Sequence, residues 1–85
     1  MGFGYSYETI VVDSYKDLPS YNRPGKPNTR YQIYRNGRLH RDRFTDKDGK
    51  PIKDVDWEGT EDHGLGFPHD HYWSGGDRLS PVPHH

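Results

Sequence analysis

Cysteine is absent from this 85-residue chain, which removes disulfide frameworks, cysteine-based zinc fingers and thiol nucleophiles together. Alanine, the strongest helix former, is absent as well, and ten glycines and seven prolines punctuate the sequence, so long helices are disfavoured throughout. Apolar runs are short: the longest is Ile10-Val11-Val12, far below the roughly 18–20 residues that a membrane helix needs, and no membrane span is expected. Met1 to Glu8 offers neither the basic start nor the apolar stretch of a signal peptide. Export would therefore use another route, as a secreted domain or one delivered into a target cell's cytoplasm, and the chain is otherwise expected to be cytoplasmic.

Aliphatic side chains are scarce, with Leu 4, Ile 3 and Val 4, and Phe adds only 3. A chain this short buries only roughly 60–65% of the surface its unfolded form exposes, so a single small domain spanning residues 1–85 with one modest core is expected. Seven tyrosines, three phenylalanines and two tryptophans compensate in part, since each can bury on the order of 150–250 Å². The net charge of -1 removes the charge imbalance that usually accompanies disorder, and an ordered, mainly β domain is expected.

The clearest local signal is Arg30-Tyr-Gln-Ile-Tyr-Arg35, then Asn36-Gly37, then Arg38 to Phe44. Asn-Gly suits the two positive φ values of a type I′ turn, so a tight hairpin is predicted in which Arg35 faces Arg38, Tyr34 faces Leu39, Ile33 faces His40 and Tyr31 faces Asp42. A second turn at Asp46 to Gly49 leads to Pro51 to Trp57. Read as a four-residue loop, it sets Arg41 opposite Asp54, Asp42 opposite Lys53 and His40 opposite Val55. Residues 30–57 thus form a three-strand antiparallel meander, with Glu8 to Val12 as a fourth strand inside an otherwise irregular 1–29. Residues 58–73 are expected to be a long irregular His-rich segment folded against the sheet, and 74–85 a frayed tail.

Three of the six histidines, His63, His69 and His71, fall within nine residues beside Asp62 and Asp70. Imidazole titrates near neutrality, so these rings suit general acid/base work on a phosphodiester, where one takes a proton from a 2′-hydroxyl and another returns one to the leaving oxygen. Two other readings stand beside it: zinc or nickel held by His63, His69 and His71, and solvated loop histidines with no chemistry. Eight of the twelve basic residues lie between Arg30 and Lys53 against three acids, Asp42, Asp46 and Asp48. Strand alternation in the predicted register gathers Arg30, Arg41 and Arg43 on one face with Gln32, Tyr34 and Leu39. Such a face suits RNA, the arginines tracking phosphates and Tyr34 stacking on a base. The bland alternative is an exposed strand whose charges oppose edge aggregation.

Taken in order, Tyr34-Arg-Asn-Gly-Arg38, Asp46-Lys-Asp-Gly-Lys50, Val55-Asp-Trp57, Asp62-His-Gly64 and Pro68-His-Asp-His-Tyr-Trp73 resemble the C-terminal toxin domains of bacterial polymorphic toxins, which are carried on repeat-rich secreted proteins. The resemblance covers Arg30 to Trp73, while Met1 to Asn28 lacks the helices of the better-known ribonuclease toxin folds. It implies a metal-independent endoribonuclease without a cofactor, neutralised by a cognate immunity protein. Carried over by position, Asp62, His63, His69 and His71 would be catalytic, while the basic strand adds Arg41 and Arg43, and its face Arg30 and Tyr34, as substrate-binding residues. A non-catalytic protein-interaction module and a His-based metal-binding domain are the alternatives.

Overall fold

The computed structural model describes residues 7–58 and 66–84. It is mainly β, as expected. The strands are β1 (Glu8–Val12), β2 (Thr29–Arg35), β3 (Arg38–Thr45), β4 (Pro51–Asp56), β5 (His69–Ser74), β6 (Asp77–Arg78) and β7 (Val82–Pro83), with one 3-10 turn at Tyr15–Asp17. Among the described residues they build one sheet in the order β1-β2-β3-β4-β5-β6, and β7 also pairs with β5. Pairing is antiparallel except between β1 and β2, which run parallel. A parallel neighbour needs a crossover, and residues 13–28 supply it.

The Asn36-Gly37 turn forms as predicted, with φ of 52° and 76°. It sets Arg35 opposite Arg38 and Tyr34 opposite Leu39, but the register then shifts between Ile33 and Tyr34. Ile33 pairs with Arg41, Gln32 with Asp42, Tyr31 with Arg43 and Arg30 with Phe44, which leaves His40 as the extra residue of a bulge. One extra residue reverses the side-chain alternation beyond it, so Arg41 and Arg43 turn away from Arg30 and join Tyr31 and Ile33. The single basic face expected from the sequence is thus divided between the two sides of the sheet. The reason is electrostatic as well as steric: the bulge sets Asp42 against Arg30, Nε to Oδ1 2.9 Å, and Gln32, Nε2 to Oδ1 2.9 Å.

The second turn closes differently from the expected four-residue loop. Thr45 faces Pro51, Phe44 faces Lys53, Arg43 faces Asp54, Asp42 faces Val55 and Arg41 faces Asp56, with an irregularity between Phe44 and Thr45. Asp46 explains it, because its Oδ1 accepts from the backbone N–H of Asp48 at 2.8 Å and of Lys50 at 3.0 Å, a side-chain turn that draws Lys50 into the loop. Relative to the expected pairing the slip is two residues for Asp54. An even slip preserves the face, so arginines still meet aspartates across the strands, but Asp54 now meets Arg43 instead of Arg41.

Among the described residues the buried apolar side chains are few: Leu18, Tyr31, Ile33 and Val55. Asp42, Arg43, Asp54, Asp56, His69, Asp70 and His71 are buried beside them, so ion pairs fill space that aliphatic side chains fill in most domains. Residues 13–28 pack over the face that carries Arg41 and Arg43. Arg43 Nη1 donates to the Pro19 carbonyl at 2.8 Å, and the Tyr31 hydroxyl accepts from the Lys26 N–H at 2.7 Å. This crossover is locked to the second turn by a hydrogen bond from Gly25 N–H to the Gly49 carbonyl, 2.9 Å. The approach requires glycine at 49, where φ is +80° and a Cβ would lie 2.0 Å from the Gly25 oxygen.

Candidate active site

The expectation of an irregular His-rich segment is corrected for residues 69–74, which form β5. The free edge of β4 accepts it, with Asp56 opposite His69, Val55 opposite Asp70, Asp54 opposite His71 and Lys53 opposite Tyr72. Strand alternation points His69 and His71 to the same side, the side that also carries Arg41, Arg43, Asp54 and Asp56. Residues 74–84 are likewise not a frayed tail. Gly75 and Gly76, with φ of 58° and 92°, reverse the chain in two residues so that Ser74 pairs with Asp77 and Trp73 with Arg78. Val82 and Pro83 return along β5 opposite Asp70 and His69.

Asp56 is the centre of the site. Its Oδ1 accepts from Arg41 Nε at 2.5 Å, and its Oδ2 accepts from Arg78 Nη2 at 2.9 Å. The same Oδ2 lies 3.3 Å from His69 Nε2 and 3.5 Å from His71 Nε2. Each imidazole is oriented from its other side: His69 Nδ1 sits 2.9 Å from the Gly66 carbonyl oxygen and His71 Nδ1 2.8 Å from that of Leu79. A carbonyl only accepts, so the neutral form of each ring carries its proton on Nδ1 and leaves Nε2 as the nitrogen that gains or gives up a proton. The two rings meet edge to face with centroids 5.2 Å apart, and Phe67 stacks on His69 at 4.7 Å. Asp56, His69 and His71 thereby present three ligand atoms within 4.8 Å of one another.

Charge balance at this centre follows from its burial. Burial pushes the Asp56 carboxyl up, but the hydrogen bond and charge of Arg41 and the charge of Arg78 outweigh it and hold the group below its ordinary value. Burial likewise works against the Arg41 guanidinium, and Asp56 and Asp54 together raise it above its usual value. Burial also lowers His71, with Arg78 acting in the same direction against the Leu79 hydrogen bond and Asp56. His71 is therefore neutral near pH 7.

Next to this centre, Arg43 grips Asp54 with Nε at 2.6 Å and Nη2 at 2.7 Å, and its guanidinium lies 4.9 Å over the Trp73 ring. Arg78 bridges the two carboxylates, donating from Nε to Asp54 Oδ2 at 2.9 Å. Arg41 extends the row outward to the half-exposed Tyr15, whose ring centroid is 5.0 Å from the guanidinium carbon.

Of the residues singled out in the sequence, His69, His71, Arg41 and Arg43 are brought to one face. Asp62 and His63 lie outside the described residues. Arg30 and Tyr34 are corrected: both project from the opposite face, where Arg30 is held by Asp42 and Tyr34 is exposed. His84, expected in a frayed tail, also lies on that opposite side, with Nδ1 2.7 Å from Asp70 Oδ1 and its ring against Trp57. Sequence reasoning missed Asp54, Asp56 and Arg78 as members of the site. The signal for the first two is the match of Arg41-Asp-Arg43 with Asp54-Val-Asp56 on adjacent strands. For Arg78 it is the Gly75-Gly76 hairpin turn. Comparison with protein-family models, with curated proteins and with solved structures finds no match to this chain. Among the described residues no helix is long and apolar enough to cross a membrane.

Proposed function

We propose that this chain is a toxin-type endoribonuclease of the kind borne on bacterial secreted toxins, and that its reacting centre is the cluster around Asp56. One observation carries the reading. Two imidazole Nε2 atoms and the Arg78 guanidinium lie within 3.5 Å of a single carboxylate oxygen, and Arg41 spans both oxygens. Cleavage would proceed through the 2′-hydroxyl of RNA. One Nε2 takes the hydroxyl proton as the oxygen attacks phosphorus, and a protonated imidazole delivers a proton to the departing 5′-oxygen. The products are a 2′,3′-cyclic phosphate and a 5′-hydroxyl. Arg41 and Arg78 carry the positive charge that the developing phosphorane needs. Both rings are buried, so RNA enters by a local opening that leaves Arg78 on Asp56 and the Leu79 carbonyl on His71. A cognate immunity protein is the expected partner in the producing cell.

The test is incubation of purified chain with end-labelled RNA in the presence of chelator, comparing wild type with His71→Ala and His69→Gln of verified fold. Cleavage leaving cyclic phosphate is expected from wild type and a loss of about 10²–10⁴-fold in each variant, the usual contribution of general acid–base catalysis. Absence of cleavage by wild type, or equal cleavage by all three, ends the proposal.

A further inference from the structure

The approach of His69 and His71 to Asp56 has a length that hydrogen bonding does not account for. A charge-assisted N–H···O bond is about 2.7–2.9 Å long, whereas the two Nε2–Oδ2 separations are 3.3 and 3.5 Å. A different geometry fits. When nitrogen and oxygen donors surround a tetrahedral Zn²⁺ at their usual bond lengths, neighbouring donors are about 3.3–3.5 Å apart. Two sides of the Asp56–His69–His71 triangle have that length, and all three donors fall within 4.8 Å.

The surroundings complete the argument. Histidines that bind metal almost always donate their second ring N–H to a carbonyl or carboxylate, which fixes the tautomer and aims the basic nitrogen at the ion. Gly66 and Leu79 provide those carbonyls at 2.9 and 2.8 Å, so both Nε2 atoms are set for coordination. Arg41 orients the Asp56 carboxylate through Nε on Oδ1 and, at 3.3 Å, Nη2 on Oδ2, the oxygen that also faces the rings. Among the described residues, two imidazole nitrogens and one carboxylate oxygen supply three of the four positions of a tetrahedral zinc site.

We propose that Asp56, His69 and His71 form a binding site for one divalent transition-metal ion of the Zn²⁺ type, and that its occupancy arrests the ribonuclease reaction. The site stands on geometry alone, and the arrest rests on the function proposed above. An ion on both Nε2 atoms occupies the lone pairs that proton transfer uses. Arg78, at 2.9 Å from the same Oδ2, competes with the ion for that oxygen.

The experiment uses the untagged chain stripped by chelator, with Co²⁺ as a visible probe and Zn²⁺ in calorimetry. Expected are the intense visible bands of tetrahedral Co²⁺, displacement of Co²⁺ by one equivalent of Zn²⁺, and loss of binding in His71→Ala exceeding the about 10–100-fold that an outer partner contributes. Arg78→Ala should bind more tightly, which a variant that merely damaged the fold would not do, and His84→Ala should bind as wild type does. Octahedral Co²⁺ spectra, or binding unaffected by His71→Ala and Arg78→Ala, overturn the site. In the RNA assay, one equivalent of Zn²⁺ should stop cleavage and excess chelator restore it. Full cleavage by the Zn²⁺-loaded chain overturns the arrest. Should the stripped chain cleave no RNA, the arrest falls with the function, while the Co²⁺ spectrum still decides the site.

Discussion

Asp54 has no exposed surface and accepts three charge-assisted hydrogen bonds, from Arg43 Nε at 2.6 Å, Arg43 Nη2 at 2.7 Å and Arg78 Nε at 2.9 Å. Asp54→Asn keeps the volume and removes the charge. Arg78 retains Asp56, but Arg43 is only 7% exposed and is left with the Pro19 carbonyl and the Trp73 face. Breaking a buried ion pair from one side costs about 3–5 kcal/mol, because the remaining charge stays out of water. Domains hold roughly 0.05–0.15 kcal/mol of net stability per residue, so this chain has on the order of 4–13 kcal/mol in all. The variant should therefore lose a large share of it. Urea unfolding followed by the fluorescence of Trp57 and Trp73 measures the loss, with Glu8→Gln as the control. The Glu8–Lys26 pair is exposed on both sides, 56% and 57%, and its removal should leave the midpoint unchanged. Removing both charges with Asp54→Leu and Arg43→Met should restore part of what Asp54→Asn loses. A loss below about 1 kcal/mol in Asp54→Asn, the range of solvent-exposed pairs, refutes the view that this ion pair is a structural centre of the domain.

Two further outcomes test the frame that holds the site. Gly49→Ala and Gly37→Ala both place a side chain at positive φ, a penalty of about 1–2 kcal/mol, but only Gly49 would also drive a Cβ to 2.0 Å from the Gly25 oxygen. Gly49→Ala should be the more destabilising in thermal melts, and equal melting points would contradict the close approach of crossover and turn. Trp57 Nε1 donates to Asp42 Oδ2 at 2.9 Å, so Trp57→Phe should cost about 1.5–3 kcal/mol in urea, the range for a hydrogen bond to a charged group. A change within about 0.5 kcal/mol would show that Asp42 is satisfied by Arg30 and Gln32 without the indole.

Local chemistry made much of the architecture legible. Asn36-Gly37 specifies its own turn because few residue pairs tolerate two positive φ values, and the β-rich, alanine-free composition leaves little room for helices. The x-His-x-His spacing of 69–71 likewise fixes that both rings share a side once the segment is extended. Register was not legible at the same level. A bulge at His40 costs one residue and reverses every side chain after it, and nothing local to Arg38–Thr45 marks where the extra residue falls. The choice is made across strands, by Asp42 reaching Arg30, Gln32 and Trp57 on one face while Arg41 and Arg43 find Asp56 and Asp54 on the other.

The sequence by itself determined that the chain is a small β domain with a central hairpin, short of aliphatic side chains, and that imidazoles and guanidiniums are available in quantity. Only the tertiary structure decided which of them meet. Asp56 came to the centre of the site because β5 adds to the free edge of β4, and Arg78 joined it because the Gly75-Gly76 turn folds the chain back over that strand. Both events depend on contacts between residues about 13 to 24 positions apart. Composition and local spacing carry no energy term for such contacts, whereas burial of paired charges in the folded sheet does.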